Sequence, residues 1–156
     1  MSSIINIRAS SLSELFDCPA RWNAKHILGM RLPTTSNALL GTALHASTAL
    51  YDQSVLDNAD ITIEEAKAAA VDSIHNPTEE VEWGEDRPTD IEKVALALHD
   101  RYCYEIAPKQ NYIAVELQTE NIIIEDLGIS LSGTTDRLYQ DEDGNIGISD
   151  LKSGIS

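Results

Sequence analysis

A hairpin signal near the carboxyl end of the chain constrains the fold more than any other stretch. Asp143-Gly144 is a dipeptide typical of tight turns between antiparallel strands. Ile146 and Ile148 follow it and alternate with small or polar residues, which indicates a strand with one apolar face. The pattern predicts that this strand pairs antiparallel with the run before the turn, residues 131–139.

Three charged residues are expected to meet in this hairpin. Asp150 and Lys152 stand at the predicted end of the second strand, and residues two apart on a strand point to the same face. Asp136 comes from the neighbouring strand. Two carboxylates on adjacent strands suit one hard divalent cation, because Mg²⁺ and Mn²⁺ prefer oxygen ligands and keep open positions for phosphate and water. A lysine beside such an ion is suited to orient a nucleophilic water or to neutralise charge on a phosphate.

Four short motifs occur in order along the chain. They are Cys18-Pro19, Gly41-x-x-x-His45, Gly133-x-x-Asp136-Arg137 and Asp150-x-Lys152-x-Gly154. In this order they resemble the core of the PD-(D/E)XK nuclease superfamily, in particular its RecB-like exonuclease branch, which includes the nuclease of CRISPR adaptation. Asp-x-Lys alone arises often by chance, but four elements in the expected order make the resemblance specific over most of the chain.

The resemblance implies a restriction-endonuclease-like α/β fold and a divalent-metal-dependent deoxyribonuclease that hydrolyses phosphodiester bonds. Asp136, Asp150 and Lys152 are then the catalytic residues, and Mg²⁺ or Mn²⁺ is the cofactor. The implied metal ligands are the side chains of His45, Asp136 and Asp150 and the backbone carbonyl of Leu151. DNA is the expected substrate.

Two of these site assignments have an ordinary structural alternative. A single histidine on a helix is more often a packed or surface residue than a ligand, and the resemblance is what assigns His45 to the metal. Glu116 matches a glutamate commonly found before the Gly-x-x-Asp strand of these nucleases, so it is a secondary site residue. A solvated position on a strand is the alternative for Glu116.

The two cysteines, Cys18 and Cys103, are too few for a disulfide framework, so a reducing cytoplasm is the expected compartment. In the resembling nucleases that carry an iron–sulfur cluster, the cysteine matching Cys18 is one of four ligands, and the other three lie near the carboxyl end. Those three are absent from this sequence, so a complete iron–sulfur cluster is not expected in this chain. Cys18 is interpreted as a small buried residue at a helix junction.

The charge of the chain is unevenly distributed. Its formal net charge is −15, which argues against a general polyanion binder, because affinity for duplex DNA comes largely from Lys and Arg. Residues 1–51, however, carry more basic than acidic side chains. Arg21 and Lys25 in this segment, together with Arg137 of the Gly-x-x-Asp-Arg motif, are the expected DNA contacts.

The order of sequence patterns predicts helices first and a sheet last. A helix capped by Ser36 or Asn37 runs to about residue 51. An acidic helical insert covers about 53–107, and the capping-box pattern of Thr62 and Glu65 begins one of its helices.

The remaining patterns predict the sheet and bound the domain. Strands over 112–124 and 129–139, followed by the strand after the turn, form a three-stranded antiparallel meander. The length suits a single nuclease-like domain over 1–156. The sequence has no apolar run of about 18 residues, so no membrane-spanning helix is expected. It has no basic segment followed by an apolar one at its start, so no secretion signal is expected. His75 and His99 have no motif around them and are interpreted as structural or exposed.

The sequence ends at Ser156, whereas members of the resembling family continue with a helix carrying a Gln-x-x-x-Tyr motif and a further strand. The chain is therefore interpreted as the N-terminal part of a longer nuclease, or as a short form whose missing part another protein chain supplies or that has been lost. Two function classes follow. The intact site residues favour a metal-dependent DNA exonuclease, while the early end and the acidic insert favour a nuclease-like module without independent activity that acts through protein contacts.

Overall fold

The computed structural model describes residues 4–152 and has a mixed α/β fold, as the sequence predicts. The helices are α1 (Leu12–Asp17), α2 (Pro19–His26), α3 (Ser36–Leu56), α4 (Ile63–His75) and α5 (Pro88–Arg101). The strands are β1 (Ile5–Arg8), β2 (Thr34–Thr35), β3 (Val81–Glu82), β4 (Tyr112–Gln118), β5 (Ile122–Ile124), β6 (Ile129–Ser132), β7 (Thr134–Gln140) and β8 (Ile146–Ser149). Within residues 4–152 no helix is both long enough and apolar enough to cross a membrane.

The chain divides into two compact units, each built from two segments. The first unit comprises residues 4–32 and 117–135, and the second comprises residues 33–116 and 136–152. The single domain over 1–156 stays a prediction.

A three-stranded sheet in the order β1-β6-β5 and the helices α1 and α2 make up the first unit. β6 is the central strand: β1 pairs parallel with β6, and β5 pairs antiparallel with β6. Ile7 of β1 is buried while Asn6 and Arg8 on either side are exposed, so this strand has one apolar and one polar face. Trp22 on α2 is also buried, and its indole N–H donates to the Ser11 hydroxyl at 3.0 Å.

The helices α3, α4 and α5 pack together in the second unit. On α4 the residues Ala66, Ala70 and Ile74 recur every four positions and are buried, so one face of this helix meets its neighbours. The predicted capping box at its start is confirmed. The Glu65 N–H donates to the Thr62 hydroxyl at 3.1 Å, and the Thr62 N–H donates to the Glu65 carboxylate at 2.8 Å. The packed core of the helices contains Leu40, Ala43, Ala70, Ile74, Ile91 and Ala95.

The long helix α3 differs from its prediction at both ends. Its cap is Thr35, whose hydroxyl accepts from the Ala38 N–H at 3.2 Å, because Thr35 has an extended backbone and Ser36 is already helical. The helix continues to Leu56, so the helical insert begins after this residue and not at about 53.

The sheet of the second unit has the order β4-β7-β8. β7 and β8 pair antiparallel with Arg137 opposite Ser149, which confirms the predicted hairpin. In the turn, the Asp141 carboxylate accepts from the Asn145 N–H at 2.8 Å, and Gly144 has a φ of +85°. A glycine is favoured at that position because other residues rarely adopt positive φ.

Three predicted strand boundaries are wrong. The run predicted as one strand over 129–139 is divided into β6 and β7, which belong to different sheets. The run predicted as one strand over 112–124 is divided: β4 joins the sheet with β7, and β5 joins the sheet with β6. The polar residues 119–121 separate the two apolar runs, and the alternating pattern does not reveal this break. The last strand ends at Ser149, so Asp150 and Lys152 follow the strand and do not share one of its faces.

Candidate metal centre

Three side chains able to ligate a metal come from three elements of the second unit. α3 carries His45, β4 carries Glu116 and β7 carries Asp136. One ligand atom of each lies within 4.8 Å of the others, and His45 Nδ1 lies 3.4 Å from Asp136 Oδ2. Metal–ligand distances of about 2.0–2.6 Å allow one cation to contact all three atoms at such a spacing. The structure therefore brings these three predicted site residues together.

The backbone at Glu116 has an unusual conformation. Its φ is +49°, a left-handed value that is uncommon for residues other than glycine. A residue in this conformation interrupts the two-residue alternation of a strand, so the pleat of β4 does not set the direction of its side chain. The Glu116 carboxylate joins the group with His45 and Asp136.

Asp136 is oriented by the segment that follows β8. The backbone N–H of Leu151 donates to Asp136 Oδ2 at 3.1 Å. The resemblance assigns the carbonyl of Leu151 to the metal, and the contact seen in the structure is made by the amide of the same residue. Gly154, the last residue of the Asp-x-Lys-x-Gly motif, lies outside the described residues.

Asp150 and Lys152 form an exposed ion pair next to this carboxylate. Lys152 Nζ lies 2.7 Å from Asp150 Oδ2. The hydrogen bond with Lys152, and after it one with Asp136, lowers the pKa of Asp150. The hydrogen bond and charge of Asp150 raise the pKa of Lys152 in turn. Among the described residues Asp150 does not belong to the 4.8 Å group of three ligands, although the N–H of the next residue, Leu151, donates to Asp136.

Arg137, next to Asp136, is enclosed in the second unit. The residue is only 1% exposed, and its Nε donates to Asp52 Oδ2 at 2.6 Å. Its other nitrogens donate to the Thr48 hydroxyl at 3.2 Å and to the Asp136 carbonyl at 2.9 Å. A guanidinium with these contacts has no surface for a substrate, so the structure argues against Arg137 as a DNA contact. Its contacts hold α3 and β7 together.

Asp52 is the buried centre of this arrangement. It accepts from Arg137 and also from the Tyr102 hydroxyl at 2.5 Å. Tyr102 stands in a π-helical turn directly after α5, and, with its single proton donated to Asp52, its hydroxyl oxygen accepts from the Tyr112 hydroxyl at 3.2 Å. The network thus links the helical insert, through Asp52 and Arg137, to the strand that carries Asp136.

Burial and hydrogen bonding have opposite effects on the pKa values of the ion pair formed by Asp52 and Arg137. Burial raises the pKa of Asp52, and the hydrogen bonds from Tyr102 and Arg137 oppose this effect. Burial acts to lower the pKa of Arg137, but the hydrogen bond and charge of Asp52 outweigh it, so the pKa of Arg137 is raised. We treat the pair as ionised at neutral pH, because a guanidinium keeps its proton and a carboxylate with two donors is favoured as the anion.

Sequence reasoning missed Asp52 and Tyr102. It gave Asp52 no role, whereas this residue of α3 is buried and accepts from Arg137. A signal was present, since Asp52 lies two helical turns after His45 and therefore near the same side of α3. No pattern in the sequence pointed to Tyr102.

The predicted DNA contacts of the first unit are already paired with carboxylates. Arg21 lies 2.7 Å from Asp17 Oδ2, and Lys25 lies 3.4 Å from Glu14 Oε2. Cys18 is half-buried at the junction of α1 and α2, close to the predicted position.

The two histidines without a motif differ in burial. His99 is fully buried; its Nδ1 lies 2.9 Å from the Ser47 hydroxyl, and its Nε2 lies 3.4 Å from the Cys103 sulfur. Burial lowers the pKa of His99 and raises the pKa of Cys103 to about 12. His75 is exposed and lies 2.6 Å from the Glu92 carboxylate. Both positions agree with the interpretation of these histidines as structural or exposed.

Comparison with known proteins identifies the family. The chain matches the family model of the PD-(D/E)XK nuclease superfamily over residues 7–156. It therefore belongs to the PD-(D/E)XK nuclease superfamily, whose members are generally nucleases that use divalent metals. A search of curated proteins gave no match. The mixed α/β fold and the cluster of two carboxylates and one histidine agree with this membership.

Proposed function

We propose that this protein is a RecB-like exonuclease that hydrolyses phosphodiester bonds of DNA with Mg²⁺ or Mn²⁺. The observation that carries the proposal is the convergence of His45, Glu116 and Asp136 within 4.8 Å, next to the ion pair of Asp150 and Lys152 at 2.7 Å. Carboxylates and an imidazole can together hold a divalent metal, and a lysine beside them can position water or neutralise charge on a phosphate during hydrolysis of a phosphodiester.

The donor atoms suit a divalent metal. The two carboxylates of Glu116 and Asp136 are ligands that both Mg²⁺ and Mn²⁺ accept, and the imidazole of His45 favours Mn²⁺ of the two. When bound, the metal supplies positive charge for the phosphate oxygens and makes a bound water a better nucleophile. Leu151 keeps Asp136 oriented by donating its N–H to the carboxylate.

Lys152 is the proposed residue for water positioning. Its side chain is 78% exposed and, among residues 4–152, forms an ion pair only with Asp150, so its ammonium group is free to reach a phosphate oxygen or an attacking water. Arg21 and Lys25 remain proposed DNA contacts, because both side chains are more than half exposed and exposed ion pairs exchange readily for phosphate.

The decisive experiment is Mn²⁺-dependent degradation of linear DNA by the wild type and by Lys152→Ala. The rate should fall by about a hundredfold or more in the variant, on the scale of removing one charge-stabilising group. The stabilisation by Mn²⁺, measured as a shift in Tm, should persist because Lys152 does not ligate the ion. Lys109→Ala, which also removes an exposed lysine from the second unit, should retain the wild-type rate.

Asp136→Ala serves as the second variant and should lose both the activity and the Mn²⁺ shift. No degradation of single- or double-stranded ends by the wild type would reject the enzyme proposal. Equal rates in the wild type and Lys152→Ala would reject the role of the lysine.

The second candidate is a nuclease-like module that acts through contacts with another protein chain. It is supported by the edge strand β8, where Ile146 and Ile148 project to one face and are each 66% exposed. Exposed apolar side chains on an edge strand are typical of a surface that another chain covers. Association without any nuclease activity would favour this candidate.

A further inference from the structure

A polar cleft lies within the first unit. Its volume is about 460 Å³, which is in the range of sites for small ligands, roughly 300–1,000 Å³. Side chains of Asn6, Arg8, Gln118, Asn121 and Ser132 are among those that line it. Apart from small residues, the lining consists of amides, hydroxyls and one guanidinium, and in the described part of the chain it contains neither a carboxylate nor an aromatic ring.

The polar face of one strand pair forms part of this cleft. Asn6 lies opposite Ser130 and Arg8 lies opposite Ser132 in the parallel pairing of β1 with β6. Paired residues of neighbouring strands project to the same face, so all four side chains belong to one side of the sheet. Ile7, between Asn6 and Arg8, projects to the other side and is buried.

Ser130 has an unsatisfied hydroxyl on this face. The residue is 6% exposed, and its Oγ has no hydrogen-bond partner among residues 4–152. A buried hydroxyl without a partner costs about 1–3 kcal/mol, so native structures rarely keep one without a reason. Ser130 is not among the residues that line the cleft, so its hydroxyl is not counted as a ligand contact.

Arg8 gives the cleft its charge. Most cations of this acidic chain are engaged by carboxylates, as Arg21, Lys67 and Arg137 are. The Arg8 guanidinium, in contrast, is exposed and forms no ion pair with any carboxylate in residues 4–152. One unpaired guanidinium among neutral hydrogen-bonding groups favours an anion with a single charge and several polar atoms.

We propose that this cleft binds the phosphate–sugar backbone of a nucleic-acid strand. A phosphodiester carries one negative charge, which Arg8 matches, and sugar and phosphate oxygens match the amides and hydroxyls around it. Because no aromatic side chain lines the cleft, bases do not stack there, and recognition is independent of base sequence. The proposal rests on the proposed nuclease function for the nature of the ligand but not on the metal centre.

Binding of a fluorescein-labelled single-stranded oligonucleotide, followed by anisotropy in EDTA, tests this site without hydrolysis. Arg8→Gln should weaken binding about tenfold, as expected for loss of one charged hydrogen-bonding contact. It should also reduce the slope of log K against log salt by about 0.7, the contribution of one phosphate on a single strand. Arg8→Lys should keep the slope but bind more weakly, because the planar fork is lost.

The matched control is Lys93→Gln, which removes one exposed positive charge from α5. It should keep both the affinity and the salt slope of the wild type. The ratio of wild-type to Arg8→Gln affinity should be the same for homopolymeric oligonucleotides of each base.

Three outcomes overturn the proposal. Equal affinity and slope in Arg8→Gln and the wild type reject the cleft and leave the nuclease function standing. Failure of the wild type to bind any oligonucleotide rejects the cleft together with the DNA substrate. Equal oligonucleotide affinity in the wild type and Arg8→Gln, together with binding of inorganic phosphate that Arg8→Gln loses, identifies free phosphate as the ligand.

Discussion

Replacement of Asp52 by asparagine should destabilise the second unit strongly although the residue does not belong to the metal centre. Asp52→Asn keeps the shape of the side chain and an oxygen that accepts from Tyr102. It removes the negative charge that lies 2.6 Å from Nε of Arg137. Arg137 cannot lose its proton, so the variant leaves an uncompensated charge in a buried position.

The size of the effect follows from the surroundings of Arg137. Removing one partner of a buried ion pair costs about 3–5 kcal/mol. Glu116 Oε1 lies 3.6 Å from Nη1 of Arg137 and offers partial compensation, so we expect the lower end, about 3 kcal/mol. Since domains are stable by about 5–15 kcal/mol, the variant should still fold. If Glu116 turns to Arg137 in this way, Mn²⁺ affinity should fall as well.

Equilibrium unfolding in urea, followed by circular dichroism, measures this cost. The midpoint should fall while the m-value stays constant, because the same surface is exposed on unfolding. Asp60→Asn is the matched control, since it removes the charge of an exposed aspartate and should change stability by less than about 0.5 kcal/mol.

A double-mutant cycle with Arg137→Met isolates the interaction of the two side chains. Residues in direct contact show coupling energies of about 0.5–3 kcal/mol, and this pair should lie in the upper half of that range. A loss in Asp52→Asn no larger than that of Asp60→Asn, or a coupling energy near zero, would refute the argument that a buried ion pair joins α3 to β7.

Three further predictions follow from the metal centre and the helical core. Mn²⁺ should raise the Tm of the wild type, because the unfolded chain has no preformed site, and His45→Ala should reduce the shift; equal shifts would exclude His45 as a ligand. Glu116→Gly should make the metal-free protein more stable than Glu116→Ala by about 1 kcal/mol, because φ is +49° at this position, while both variants bind Mn²⁺ more weakly in calorimetry. His99 has a pKa below its ordinary value of 6.5, so the unfolded chain binds a proton first as the pH falls. Stability should therefore decrease below about pH 6.5 until the folded pKa is reached, and His99→Gln, compared by urea unfolding at each pH, should show a smaller decrease.

Local patterns predicted the elements whose structure depends on neighbouring residues. The turn at Asp143-Gly144 pairs two strands as expected, because a positive φ and short-range hydrogen bonds decide a tight turn. The capping box of Thr62 and Glu65 formed for the same reason. Patterns did not predict the division of the runs 112–124 and 129–139, in each of which two consecutive segments enter different sheets.

The candidate site shows the same contrast. His45, Asp136, Asp150 and Lys152 were predicted from motif order, and the structure places His45 against Asp136 and Lys152 against Asp150. The role of Arg137 was misjudged, because a charged residue next to a site residue is exposed or buried according to what packs around it.

The sequence by itself indicated the class of chemistry, since its motifs occur in the order typical of a nuclease superfamily and supply the carboxylates, histidine and lysine that a metal-dependent hydrolysis uses. It also determined the hairpin and the helices, because turns, caps and periodicity act over a few residues. Only the tertiary structure decided that Glu116 joins the metal group and that Asp52 neutralises Arg137. Both contacts join residues far apart in the chain, and their formation depends on burial and on backbone conformation that local patterns do not encode.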